Sequence, residues 1–150
     1  MKRKLTLSEY VKRRNGVALG AQGSLSNMLY RSFGAGSFAQ FWQFWNPIWG
    51  YYLARVFFIP LKQKLPPAMA VICTFTVSGA VHDLAVMAVK WRYVCLFTPW
   101  FFLMGLTVVL SSRWHIRYAS LGWPVCAMIN FSFVVVNLAV VILLRSVYIG

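Results

Sequence analysis

Two adjacent ionisable residues, His82 and Asp83, lie inside the apolar run PPAMAVICTFTVSGAVHDLAVMAV at residues 66–89. A charge-bearing group in a membrane segment costs at least a few kcal/mol, so such residues face a protein interior or an aqueous cavity. Thr74, Ser78 and His82 recur every four residues and form one polar stripe on an otherwise apolar helix. Asp83 is turned about 100° from His82 on that helix, and so reads as structural support rather than chemistry. Burial penalises a charged imidazole, which leaves a neutral ring able to serve as general base. The residues alone keep a second reading of His82 open, a hydrogen bond across a helix interface.

Other chemistries are poorly supplied. Glu9 and Asp83 are the only carboxylates, so a carboxylate metal site or acid–base pair is excluded. Cys73, Cys95 and Cys126 stand singly in apolar runs, as buried small hydrophobes do. There is no HExxH and no glycine-rich phosphate loop, and no metal or tightly bound cofactor is expected. His115, in RWHIRY, reads as an interfacial residue. Asn46 precedes Pro47, the pattern of a helix N-cap followed by proline at the first helical position. Trp42, Trp45 and Trp49 are the residue types of an interfacial aromatic belt.

The elements that must carry these residues are those of a polytopic, all-α membrane protein. Hydrophobic residues make up 60% of the 150-residue chain and charged residues 11%, a balance no water-soluble fold of this size can bury. Residues 66–89, 93–111 and 119–144 each exceed the roughly 18 residues that license a membrane span. Residues 38–61 are aromatic and interrupted at Asn46–Pro47, which predicts a broken or re-entrant segment. Two regions result. Residues 1–37 form a basic, Gly- and Ser-containing segment at the membrane surface, and residues 38–150 form the embedded core. The first stretch is too polar for a secretory signal, so the N-terminus is expected to be retained.

The net charge of +13 would point to nucleic acid in a soluble protein. Here the cations flank apolar runs, as at Lys62, Lys64, Lys90, Arg92, Arg113 and Arg117, which is the pattern of membrane flanks facing anionic lipid. With three spans, twelve basic residues (ten before residue 66, then Arg113 and Arg117) oppose three (Lys90, Arg92, Arg145). That asymmetry predicts a multi-pass protein with a cytoplasmic N-terminus.

The string SFAQFWQFWNPIWGYYLARVFFIPLK resembles the signature of the membrane-bound O-acyltransferases. That signature is a serine, then FW, two or three residues, and W followed by His, Asn or Asp; tyrosines, an arginine and IPL come after. About 35 residues on, SGAVHDL resembles the second family motif, a histidine in an apolar helix preceded by small residues. Gln43 and Phe44 stand where the family often has basic residues. The resemblance covers roughly residues 35–145 and corresponds to the C-terminal catalytic core alone. It implies an all-helical fold and transfer of an acyl group from a thioester donor such as acyl-CoA to a hydroxyl of a lipid, sugar or polymer. By motif position His82 is the general base, and Asn46 orients the acceptor or stabilises developing charge. Trp42, Trp45 and Arg55, with Ser78 and Thr74 of the stripe, are the residues expected to line the substrates. Family members have several hundred residues, so the chain reads as a fragment, as a short member whose remaining helices come from a second copy or a partner, or as a degenerate relative. The alternative function is a non-catalytic accessory or assembly subunit that keeps the family core, and a transporter subunit is a third class.

Overall fold

The structure is a computed structural model that describes residues 5–149. Eight α-helices and one π-helical turn account for the described secondary structure. Helix α1 (Leu7–Asn15) begins with a capping box, Thr6 accepting from the Glu9 amide while Glu9 accepts from the Thr6 amide at 2.8 Å. It stops at Gly16, whose φ of 83° few other residues adopt. Helix α2 (Ser24–Phe33) lies within the stretch that the sequence reads only as a basic surface segment. Its apolar residues Leu25, Met28, Leu29 and Phe33 fall at helical spacing, a signal the Gly- and Ser-rich surroundings obscure. Its C-terminus is satisfied by a distant residue, Asn130, whose amide donates to the Phe33 and Ala35 carbonyls at 2.9 and 2.8 Å.

The aromatic segment is broken where proline demands it. Helix α3 (Phe38–Phe44) ends before Asn46, α4 (Pro47–Leu53) starts with Pro47 in its first turn, a π-helical turn follows at Ala54–Phe58, and α5 (Ile59–Lys64) completes the run.

Helix α6 (Pro67–Lys90) and helix α7 (Phe97–Arg113) form an antiparallel hairpin. Their close approach depends on glycine. A Cβ at Gly79 would lie 2.4 Å from the Phe97 carbonyl oxygen, and one at Gly105 would lie 2.9 Å from the Phe75 Cβ. Helix α8 (Trp123–Ile149) packs across α7 and α2. Ala35, Phe38, Phe41, Met104 and Val108 form the buried centre, ringed by Phe33, Trp42, Phe75, Phe101 and Phe133.

Among the described residues two helices, α6 and the Trp123–Val147 part of α8, are long and apolar enough to cross a membrane. The span expected at residues 93–111 is shorter in the fold. Residues 93–96 are not helical, and α7 has 17 residues, about 25 Å of rise. The outward faces are apolar: Leu84 is 60% exposed on α6, and Met128 and Leu143 are 69% and 63% exposed on α8. Apolar surface on this scale needs lipid or other helices against it.

Candidate active site

Asp83 determines where α7 begins. Its carboxylate is buried and accepts the backbone amides of Leu96 and Phe97 on Oδ1, each at 2.9 Å. Oδ2 accepts from the Thr98 amide at 2.8 Å and from its hydroxyl at 2.6 Å. These are the amides that a helix leaves unsatisfied at its start, and an anion there also meets the positive end of the dipole. Residue 83 thus draws the start of α7 against the last third of α6, and the first two turns of α7 carry the rings that meet His82.

The imidazole of His82 is half-buried. It stacks on Phe101 (5.1 Å between centroids, 29°) and lies tilted against Phe97 at 5.6 Å. Trp49 meets it edge to face at 6.1 Å and 88°. Nδ1 lies 2.6 Å from the Ser78 carbonyl oxygen. A carbonyl only accepts, so Nδ1 carries the proton in the neutral ring and Nε2 keeps its lone pair. Among the described residues Nε2 has no hydrogen-bond partner.

Ser78 connects this ring to the aromatic segment. Its side chain is buried and accepts the indole N–H of Trp49 at 2.9 Å. Trp49 is the third residue of α4, and its own amide donates to Asn46 Oδ1 at 3.1 Å. Asn46 is exposed and occupies the left-handed region (φ 38°, ψ 70°), which Asn adopts more readily than most residues. A continuous path of three hydrogen bonds therefore joins the two motifs, from Asn46 to Trp49, from Trp49 to Ser78 and from Ser78 to His82.

The other expected residues are distributed around this path. Thr74 is buried one turn below Ser78 and turns its hydroxyl back to the Ala70 carbonyl at 2.7 Å. Trp42 lies behind Phe101 at 6.0 Å and against Phe75 at 5.1 Å, with its indole N–H buried and unpartnered among the described residues. Trp45 stacks on Phe41 and meets Phe33 edge to face, within the packing of α2 on α3. Arg55 lies over the Tyr51 ring at 4.6 Å and donates to the Leu5 carbonyl at 2.7 Å, tying the π-helical turn to the N-terminal segment. Ser78 is thus brought to the imidazole, whereas Arg55 engages the chain's beginning.

Three residues at the imidazole, Trp49, Phe97 and Phe101, were not among the expected site residues. For Trp49 a signal existed. Its spacing from Trp42 and Trp45 makes a stripe only on an unbroken helix, and the break at Pro47 turns it toward α6 instead. Phe97 and Phe101 carry no local signal, because the contact depends on the Asp83 cap.

A polar cavity of about 320 Å³ opens at the other end of α7, lined by Ser37, Gln40, Gln43, Ser112, His115 and Arg117 among others. No group of three or more His, Cys, Asp or Glu residues that could hold a metal occurs among the described residues.

Compared with known proteins, the chain is similar to diacylglycerol O-acyltransferase 1 of Arabidopsis thaliana, with 28% identity over 116 residues, 65% of this chain. It spans about a fifth (21%) of that protein's length. No family model matches the chain, and no solved structure matches it.

Proposed function

We propose that the chain is the catalytic core of a membrane-bound O-acyltransferase, moving an acyl group from a thioester donor of the acyl-CoA kind to a hydroxyl acceptor. The observation that carries this reading is the state of His82. Its Nδ1 is occupied by a backbone carbonyl, its Nε2 is left with a free lone pair, and the ring sits on a helix long and apolar enough to cross a membrane. The likeness to a diacylglycerol acyltransferase supports the same chemistry and makes a diacylglycerol-type lipid the first acceptor to test.

In this mechanism Nε2 takes the proton of the acceptor hydroxyl as its oxygen attacks the thioester carbonyl carbon. The tetrahedral intermediate collapses with cleavage of the C–S bond. The leaving thiolate recovers the proton from the imidazolium, so ester and free thiol are formed and the ring returns to its neutral state. The Ser78 carbonyl holds Nδ1–H throughout and steadies the imidazolium as it forms. The rings of Trp49, Phe97 and Phe101 fix the plane of the imidazole and keep water from that face. The three-span topology with a cytoplasmic N-terminus belongs to this reading, with α7 as the middle crossing.

The test is incorporation of labelled acyl groups from acyl-CoA into diacylglycerol by membranes holding the full chain. Base catalysis is worth about 10²–10⁴-fold, and His82→Ala should lose that much while still inserting. Undiminished transfer by His82→Ala would remove the histidine from the mechanism.

A second reading, an assembly subunit without activity of its own, is favoured by the apolar faces that α6 and α8 leave exposed, such as Leu84, Met128 and Leu143. Labelling by a reactive acyl-CoA analogue separates the two. A catalytic core is labelled alone or as a stable oligomer, and an accessory subunit is labelled in neither form.

A further inference from the structure

We infer that Asn46 and Trp49 are positioning residues for His82, and that Asn46 acts through the start of α4 rather than on a substrate. The inference rests on the proposed role of His82 as base. The family pattern alone assigns Asn46 to acceptor binding or charge stabilisation, but in the fold its side-chain oxygen is already committed to the Trp49 amide at 3.1 Å. Its own backbone N–H points to Met28 Sδ at 3.3 Å.

The path from there to the imidazole is short and specific. Capping fixes the first turn of α4 and with it the direction of Trp49. The Trp49 indole then grips Ser78 Oγ at 2.9 Å and closes edge-on over the imidazole. Ser78 is held from two sides, its hydroxyl by Trp49 and its carbonyl by His82 Nδ1 at 2.6 Å. That carbonyl decides which ring nitrogen is basic. Loosening Trp49 therefore withdraws the indole that closes edge-on over the imidazole, lets the ring turn away from that carbonyl and mixes the two tautomers. A base on the wrong nitrogen is removed from line with the acceptor proton, and misplacement on that scale costs up to about a hundredfold.

Substitutions at position 46 separate capping from substrate contact. Aspartate keeps the capping oxygen and tolerates the left-handed conformation but has no amide N–H to donate. Glycine tolerates the conformation and removes the cap, so the comparison is free of backbone strain. The expected result is that Asn46→Asp retains kcat within about threefold of the original protein. Asn46→Gly and Trp49→Phe each lose roughly 10–100-fold in kcat, with the KM for acyl-CoA nearly constant. Because both act through one path, the double variant Asn46→Gly/Trp49→Phe is no slower than the slower single.

A second readout needs no turnover. The chain has two histidines, so His115→Gln leaves His82 as the only one. Nitrogen-15 NMR of histidine-labelled protein in detergent should then show one Nδ1–H tautomer at neutral pH, and a mixture in Asn46→Gly and in Trp49→Phe. The inference is overturned if Asn46→Asp is as slow as Asn46→Gly while both keep the original tautomer. It is also overturned if the losses of the two single variants simply multiply. A protein with no transferase activity would defeat the proposed function, and the tautomer measurement would still decide whether Asn46 and Trp49 hold His82.

Discussion

A carboxylate that accepts four hydrogen bonds has no capacity left for a proton relay, and Asp83 is such a group. Asp83→Ala strands three backbone amides at the start of α7 and should destabilise the protein by at least about 2 kcal/mol, measured by denaturant unfolding in detergent. Activity should fall with it, because Phe97 and Phe101 leave the imidazole. Asp83→Asn, which keeps acceptor oxygen, should fall between the two. A second residue-scale prediction concerns Tyr118, in the link before α8. Burial, and secondarily Cys126, push its phenol well above the usual range. The neutral hydroxyl donates to Asn130 Oδ1 at 2.6 Å. With the folded value raised above the unfolded one, this contribution is complete below pH about 10 and is lost as pH climbs from there. Tyr118→Phe should cost about 1–3 kcal/mol at neutral pH and abolish that part of the alkaline loss of stability, read by unfolding at pH 8 and above pH 10.

At the scale of elements, the α6–α7 hairpin is set by the absence of two side chains. Gly79→Ala places a methyl against the backbone of Phe97 and Thr98, which cannot rotate away. Gly105→Ala meets the Phe75 Cβ at 2.9 Å and the Ile72 Cα at 3.2 Å, a milder overlap than the 2.4 Å at Gly79. We expect Gly79→Ala to lower the unfolding midpoint clearly more than Gly105→Ala, and to reduce transfer as well. The elements also show what local sequence reveals. The break at Asn46–Pro47 and the start of α6 at Pro66–Pro67 were legible because proline restricts the backbone wherever it stands. The start of α7 was not. Hydropathy carries the apolar run back to Tyr93, but the helix begins at Phe97 because a carboxylate thirteen to fifteen residues upstream supplies its cap. Helix α2 carries a helical spacing in Leu25, Met28, Leu29 and Phe33, but its C-terminal carbonyl is satisfied by Asn130, about a hundred residues away, which no local pattern shows. The His82–Ser78 pair followed from four-residue spacing, whereas the Trp49 contact needed the angle between α4 and α6, which no spacing encodes.

For the whole molecule, the proposed function carries a three-span topology that labelling can test. Among the described residues two helices meet the length and hydropathy of a span, and α7 falls just short in length. If α7 crosses with them, single cysteines placed at Lys12 and Trp114 in a cysteine-free background share one side, and a cysteine at Tyr93 is labelled from the other. Impermeant thiol reagents applied to sealed vesicles read this directly. Labelling of Trp114→Cys and Tyr93→Cys from one face would leave α7 on the surface. Synthesis order gives the Asp83 cap one more meaning. The carboxylate precedes the helix it starts, so α6 is already made when Leu96, Phe97 and Thr98 leave the ribosome. The second arm then meets its nucleus on emergence, and in the proposed topology the two helices enter the membrane as one folded hairpin with their polar ends already joined.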